Sequence, residues 1–280
     1  VVALLNNLPP KTSCARLEVE SVCGRSAITT AFAANPLKLL TPRSRGLSVW
    51  ACLSNYGGGF VAGDQVQIDL QLGPNTRCFF GTQAVTKIYR NAGLRPCGQV
   101  TRAELGEKAV LVFAPDPVSA FAGSSYRQRQ EFRLAPGAGL ALVDGLSSGR
   151  AARGERWAFT HFASRNEVFI DDERVFLDSL ALGPEPDLAA SPHRLGRFNG
   201  LALLLLLGEP LRAAAAVLLA DLAARPVGRR GALVCSASPV GDGALLRVAG
   251  ESVEAVSREI HRHLAGARAL LGDDPWARKG

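Results

Sequence analysis

Between Gln65 and Leu72 the chain alternates without a break: Val66, Ile68, Leu70 and Leu72 fall on one side, and Gln67, Asp69 and Gln71 on the other. A two-residue period over this length fits a strand with one buried and one wet face, and fits no helix. Shorter strand-like runs surround it. They involve Leu17 and Val19, then Ile28 and Phe32, then residues 37–40 between Pro36 and Pro42, and 47–53. Others follow at 77–80, 109–113, 128–134, 140–143, 157–162, 167–170 and 174–182. Gly73-Pro74, Pro115-Asp116-Pro117 and Pro136-Gly137 punctuate the gaps with turn chemistry. Residues 1–190 are therefore expected to form a many-stranded β body.

After Gly183-Pro184-Glu185-Pro186 and Ser191-Pro192 the texture changes, and residues 191–280 read as a smaller α+β part with the order β-α-β-β-α. Residues 201–207 are nearly all Leu and fit either a buried strand or a helix. Pro210 opens, and Arg225-Pro226 closes, a helix over 211–224. Strands are expected at 232–237 and 245–248, and a second helix over 252–271 carries Val253, Val256, Ile260, Leu264, Ala267 and Leu271 on one stripe. No internal repeat is evident.

At 280 residues and 47% hydrophobic content the chain can bury a large core. No apolar run approaches the roughly 20 residues of a membrane span, and the N-terminal residues lack the pattern of a secretory signal. A cytoplasmic protein with no membrane partner is expected. Methionine is absent even at position 1, and the chain is expected to have been trimmed at its start. The six cysteines are scattered, form no C-x-x-C, and are expected to be reduced and mostly buried. The net charge is +7, yet the arginines are interspersed with acids. That pattern fits a solvated basic surface or a face for an acidic protein partner better than a nucleic-acid groove.

Three motifs invite a catalytic reading. Gly57-x-Gly59-x-x-Ala62 fits the relaxed dinucleotide fingerprint, but a strand follows where the mechanism needs a helix N-terminus. Gly58 and Gly63 have P-loop spacing, but Asp64 and Gln65 stand where the phosphate-binding lysine belongs. The stretch is then either a plain turn between strands or a turn that holds Asp64 beside a partner or an internal cavity. Gly145-Leu146-Ser147-Ser148-Gly149 matches the G-x-S-x-G nucleophile elbow after a strand, although no helix follows. A serine hydrolase using Ser147 is one alternative function, and a basic adaptor protein is another. His261-x-His263 on a helix points two ways and is expected to be a solvated face. Asp64, Gln83, Lys87, Asp116, Asp144, Glu155, Asp171 and Asp178, taken singly, read as turn formers or surface charges.

Taken together, several segments resemble the urease accessory protein family called UreD, or UreH in some bacteria. They are Pro36-Leu-Lys-Leu-Leu-Thr-Pro42, Gly57-Gly-Gly-Phe-Val-Ala-Gly-Asp64, Thr82-Gln-Ala-Val-Thr-Lys-Ile-Tyr-Arg90, Pro115-Asp-Pro117, and Phe121-Ala-Gly-Ser-Ser-Tyr-Arg-Gln128. Leu146-Ser-Ser-Gly-Arg150, Arg153-Gly-Glu-Arg-Trp157 and Asp178 continue the series. Gly145 departs from the family, which tends to carry tryptophan there. The resemblance implies a mainly β protein with a strand-rich, superhelix-like body and a smaller C-terminal part containing two helices. It implies a maturation factor rather than an enzyme. Such a factor binds apo-urease and works with a second accessory protein (UreF-like) and a nickel-carrying GTPase (UreG-like), with nickel passing through a polar interior. On that reading Asp64, Asp144, Glu155 and Asp178 line or guard the path of transient Ni2+, oriented by Gln83, Thr86, Lys87 and Arg150. No cofactor is tightly bound, GTP belongs to the partner, and no nucleic acid is involved.

Overall fold

The alternation at Gln65 to Leu72 does make a half-buried strand, but its neighbours on both sides run parallel to it, which places it in a coiled chain rather than a hairpin stack. A computed structural model describes residues 11–93, 95–183, 195–226, 228 and 230–277. The expected boundary near residue 190, the Pro184 to Pro186 and Ser191-Pro192 segments, His193 and the first ten residues lie outside the described residues.

The chain opens with β1 (Lys11–Val22), β2 (Arg25–Ala33) and β3 (Leu37–Leu40). It then winds through successive coils. The first holds β4 (Val49–Asn55), β5 (Gly59–Phe60) and β6 (Asp64–Leu72), and the second holds β7 (Arg77–Thr82), β8 (Lys87–Ile88) and β9 (Cys97–Leu105). The third holds β10 (Val110–Phe113), β11 (Val118–Ala120) and β12 (Ser125–Leu134). The last holds the long β13 (Gly139–Ser147) and β14 (His161–Ile170). Equivalent strands stack in parallel: β6, β9, β12 and β14 in one sheet, β4, β7, β10 and β13 in another, with β5, β8 and β11 as a short third row that joins β13. Antiparallel strands close the stacks. β2 lies beyond β1, and β15 (Glu173–Leu182) pairs with β14. β3 pairs with β4, while β16 (Gly200–Leu207), β18 (Gly243–Gly250) and β17 (Leu233–Val240) extend the sheet from β13. The mainly β, superhelical architecture implied by the resemblance is the one observed.

Parallel stacking turns a sequence without evident repeats into a repeating structure. Arg77 pairs with Val110, and Val110 with Gly139. Inward side chains therefore fall into columns. Phe80 and Phe113, adjacent in register, stack with ring centroids 5.4 Å apart at 4°, and Phe132 of the facing sheet meets Phe113 edge-on at 5.3 Å. On the outward side of the first sheet, Arg129, Arg165 and Arg174 converge on Glu167. The guanidiniums, Arg165 foremost, hold the Glu167 carboxyl at about 2. These three arginines are paired with a carboxylate rather than free to meet phosphate.

The middle strands of the second sheet are buried on both faces. Phe80 and Leu205 point to the interior, while Phe79, Leu204 and Leu206 point outward under the helices. Those are α1 (Arg212–Ala224), α2 (Val253–His263) and α3 (Ala265–Leu271). Double burial accounts for the all-Leu run in β16, which has no wet face to alternate with. Proline at residue 210 sits in the short 3-10 turn Glu209–Leu211 that leads into α1, and Ser252 caps α2 by accepting a bond from the Ala255 N–H at 3.2 Å. The helix expected over 252–271 is broken at Leu264, so three helices form rather than two.

Other expectations are corrected. Residues 97–105 form β9, a full strand not anticipated from the sequence, and the run at 157–162 becomes a strand only from His161. None of the cysteines is paired, but only Cys78 and Cys97 are buried, and Cys14 and Cys23 are exposed.

Gly59 shows how tightly the third row is stacked: a Cβ there would lie 2.3 Å from the Lys87 carbonyl oxygen, whereas at Gly57 the nearest atom would be 3.5 Å away. Gly59→Ala should cost about 2 kcal/mol of stability in urea denaturation, and Gly57→Ala less than about 1 kcal/mol.

Candidate functional site

Polar residues occupy the inward phase of the first sheet where the coils turn. In β12 the buried positions Tyr126, Gln128, Gln130, Phe132 and Leu134 alternate with Arg127, Arg129, Glu131 and Arg133, so the two glutamines are committed to the interior. Ser164 and Asn166 of β14 do the same. Facing them is Asp144, on β13 in the second sheet. Its Oδ1 accepts from Gln128 Nε2 at 2.8 Å, and its Oδ2 accepts from Ser164 Oγ at 2.5 Å and Asn166 Nδ2 at 2.9 Å. Gln130 Nε2 in turn donates to Asn166 Oδ1 at 2.7 Å. No cation takes part in these four bonds. Burial accordingly raises the Asp144 pKa, the three donors oppose the rise, and the nearby Asp178 carboxylate adds to it.

Asp178, on β15, pairs in register with Asn166 and accepts from Arg247 of β18 at 2.6 Å, an ion pair that spans the gap between the two sheets. Asp144 and Asp178 thus border the same space, a cavity of about 500 Å³ lined also by Leu180, Leu203 and Arg247. A second, much smaller cavity of about 20 Å³ lies between the sheets and shares Asp144 and Gly145 with the first. It is bordered by Gln99, Gln128, Gln130, Thr86 and the Thr82–Asp116 pair, whose side chains are joined at 3.0 Å. A third, of about 70 Å³, shares Leu53, Thr82, Thr86 and Gln99 with the second and reaches Asn55, Ala84 and Val85. Asn55 Nδ2 there is a buried donor with no bonding partner among the described residues. The three cavities thus adjoin one another through shared lining residues.

Apart from Thr86, the remaining sequence-predicted residues are placed away from these cavity walls. Asp64 is buried at the start of β6, where Oδ2 accepts from the Val61 N–H at 2.9 Å, so the carboxylate closes the corner from β5 to β6. Glu155 is gripped by Arg150 through Nε at 2.9 Å and a second nitrogen at 2.5 Å, and also accepts from the Ala122 N–H at 3.3 Å. Arg150 lies over the Phe121 ring, and its bonds lower the Glu155 pKa. Gln83 and Lys87 are exposed, and Thr86 is half-buried on the cavity walls. The structure brings together Asp144 with Asp178 and Arg150 with Glu155. Sequence reasoning missed Thr82, Gln99, Gln128, Gln130, Ser164, Asn166 and Arg247. The available signal was glutamine on the inward phase of a strand whose outward phase is charged.

The rival motifs lose their geometry. Gly59 and Phe60 are in a strand and no helix follows. Ser147 ends β13, buried and paired with Gly200 and Ser119, and the short 3-10 turn Ala151–Arg153 follows in place of the helix that a nucleophile elbow needs. The solvated face expected for the histidine pair is half corrected: His261 is exposed against Trp276, but His263 is buried.

Comparison with known proteins agrees with this architecture. Residues 11–279 match the family described as UreD urease accessory protein. The chain is 44% identical over 270 residues to the urease accessory protein UreD of Sorangium cellulosum (strain So ce56), covering 96% of this chain and 85% of that protein. It is 42% identical to the protein of the same name from Anaeromyxobacter sp. (strain Fw109-5), covering 96% and 90%. It is 30% identical to urease accessory protein D of Arabidopsis thaliana, covering 94% and 99%.

Because the Asp144 pKa stands above its ordinary value of 3.8, folding favours the protonated acid. The stability tied to this group is complete below pH 3.8 and is lost as pH rises through the raised value. Wild type should therefore lose stability relative to Asp144→Asn over that interval in melts taken at stepped pH, and parallel curves would contradict the assignment.

Proposed function

The chain belongs to the UreD urease accessory protein family, and from that premise we propose that it binds apo-urease and lets Ni2+ pass along its interior toward the urease active site. Membership gives it a part in urease maturation beside urease and other accessory proteins, in a family of accessory proteins and not of catalysts. The finer proposal is that it acts in the cytoplasm with a UreF-like protein and a UreG-like GTPase that carries the nickel and hydrolyses the GTP. Among the described residues no helix is long and apolar enough to cross a membrane.

The observation that supports passage is the series of three cavities between the sheets, which share Thr82, Thr86 and Gln99 at one junction and Asp144 and Gly145 at the other. Their polar lining is carboxylate, amide and hydroxyl, together with the Arg247 guanidinium paired to Asp178. Oxygen donors of this kind hold a borderline ion such as Ni2+ loosely compared with thiolate or clustered imidazole, so the cargo is handed on rather than stored. On this proposal Asp144 and Asp178 meet the ion, Thr86 borders the narrow part, and Asp64 and Glu155 guard the path by fixing its corners. Arg150 orients Glu155, while Gln83 and Lys87 present the exposed rim to a partner.

The test is urease activation in cells carrying the accessory proteins. Asp144→Asn and Asp178→Asn should each lower nickel loading of urease by at least several-fold, while the variant still co-purifies with urease and melts cooperatively. Asp64→Asn and Glu155→Gln should lower it as well. Full activation by both Asp144→Asn and Asp178→Asn would sink the passage, and loss of co-purification would reassign the acids to assembly.

A further inference from the structure

On the outer side of the second sheet, away from the interior cavities, three donors converge where α1 meets α2. Val256 and Ile260 anchor α2 to the sheet, which turns Glu259 and His263 toward α1. Those two residues are four apart and so stand one above the other on a single helix face. Asp221 approaches from α1. His263 Nε2 lies 3.0 Å from Glu259 Oε1 and 3.6 Å from Asp221 Oδ2, and all three donor atoms fall within 4.8 Å of one another. Donors placed about 2.0–2.2 Å from a zinc-class ion are separated from each other by about 3 to 3.5 Å, so the triad has the span of one face of a coordination shell. The His263 and Glu259 side chains are only 5% and 10% exposed, which holds the donors in position.

A cation already sits there, supplied by the chain. Arg225 donates through NH1 to Glu259 Oε1 at 2.6 Å and through NH2 to Asp221 Oδ2, and NH2 lies 3.4 Å from His263 Nε2. Arg262 holds the other Asp221 oxygen at 2.8 Å. Arg225 follows the last residue of α1 in an extended conformation, and its side chain is 28% exposed. It can therefore swing to solvent without unwinding the helix. Two carboxylates and an imidazole around one monovalent guanidinium are also a competent shell for a divalent ion.

We propose that Asp221, Glu259 and His263 form a binding site for a divalent transition metal, with Arg225 as the resident competitor that the metal displaces. The site is separate from the interior path and does not depend on it. Metal and guanidinium are alternative clasps between the same two helices, and a free-metal rise exchanges one for the other.

The test uses the full chain in an Asp144→Asn, Asp178→Asn background, which removes the interior acids from the readout. Titration with Ni2+ and with Zn2+ should show one weak site that His263→Ala abolishes. Arg225→Ala should bind at least tenfold more tightly. Without metal this variant leaves Glu259 without its guanidinium and Asp221 with Arg262 alone, and should melt at a lower temperature than its parent. Metal should restore the melt, but should not do so once His263→Ala is added. A plain ion-pair clasp predicts the opposite: Arg225→Ala stays destabilised with metal present and binds no more than its parent. Either of those results overturns the proposal, as does binding that survives His263→Ala. Should Arg225→Ala fail to fold without metal, refolding it with and without Zn2+ gives the same decision, because only a metal site recovers it.

Discussion

The parallel ladder between successive coils is the constraint from which the remaining features follow. Once Gln65 is in register with Gly98, and Cys97 with Tyr126, every later residue of those strands has its place in a column and its side chain is assigned inward or outward. Apolar columns such as Phe80 and Phe113 fill the interior by stacking. Polar columns have no such freedom. Gln128 and Ser164, adjacent in register, must find partners within the space between the sheets, and both find Asp144. A buried acid that accepts three bonds escapes the cost of unmade hydrogen bonds, about 1–3 kcal/mol for each group. It still bears the cost of its own charge, which is why burial dominates its pKa.

How much of this was legible in the chain depended on whether a strand had a wet face. β6 declared itself because Gln67, Asp69 and Gln71 oppose an unbroken apolar side. β16 was ambiguous because both its faces are covered, so the pattern that separates strand from helix was erased. β9 was missed since its inward positions include Cys97, Gln99 and Thr101, which blur the contrast with the outward side. The third row, two or three residues per coil, is too short to carry any period. The repeating coil stayed hidden because stacking requires matching register and compatible volumes, not matching residues. Resemblance to a family supplied the architecture that periodicity could not.

The site residues divide in the same way. Asp144 and Asp178 could be singled out in the sequence only through the resemblance, and their convergence needed β13 and β15 to meet at one end of the stack. Asp64 and Glu155 attracted notice for the same reason, yet Asp64 accepts from the nearby Val61 N–H, and Glu155 is held by Arg150 and the Ala122 N–H. His263 was set aside because its sequence neighbour His261 cannot share an ion with it. The relevant neighbours are one turn back on its own helix and across on another. The two acidic centres also compensate charge by different means. Asp144 is enclosed by neutral donors and burial raises its pKa, whereas Asp221 and Glu259 are met by guanidinium, and for Asp221 the arginines outweigh burial and lower the pKa.

The middle cavity, at about 20 Å³, exceeds the roughly 10–15 Å³ that one water needs, so it has room for about a single water and not for an ion with its shell. A hydrated solute cannot stand in it. On the proposed passage, the two sheets must part locally, or the ion must shed its shell against the oxygens of Gln99, Thr82 and Asp116. Since the ladders run from coil to coil, a local widening is shared with its neighbours and belongs to the collective microsecond-to-millisecond class of motions rather than to side-chain flips. On the proposed passage, the interior works as a rate-setting throttle, its conductance fixed by the stiffness of the surrounding sheets.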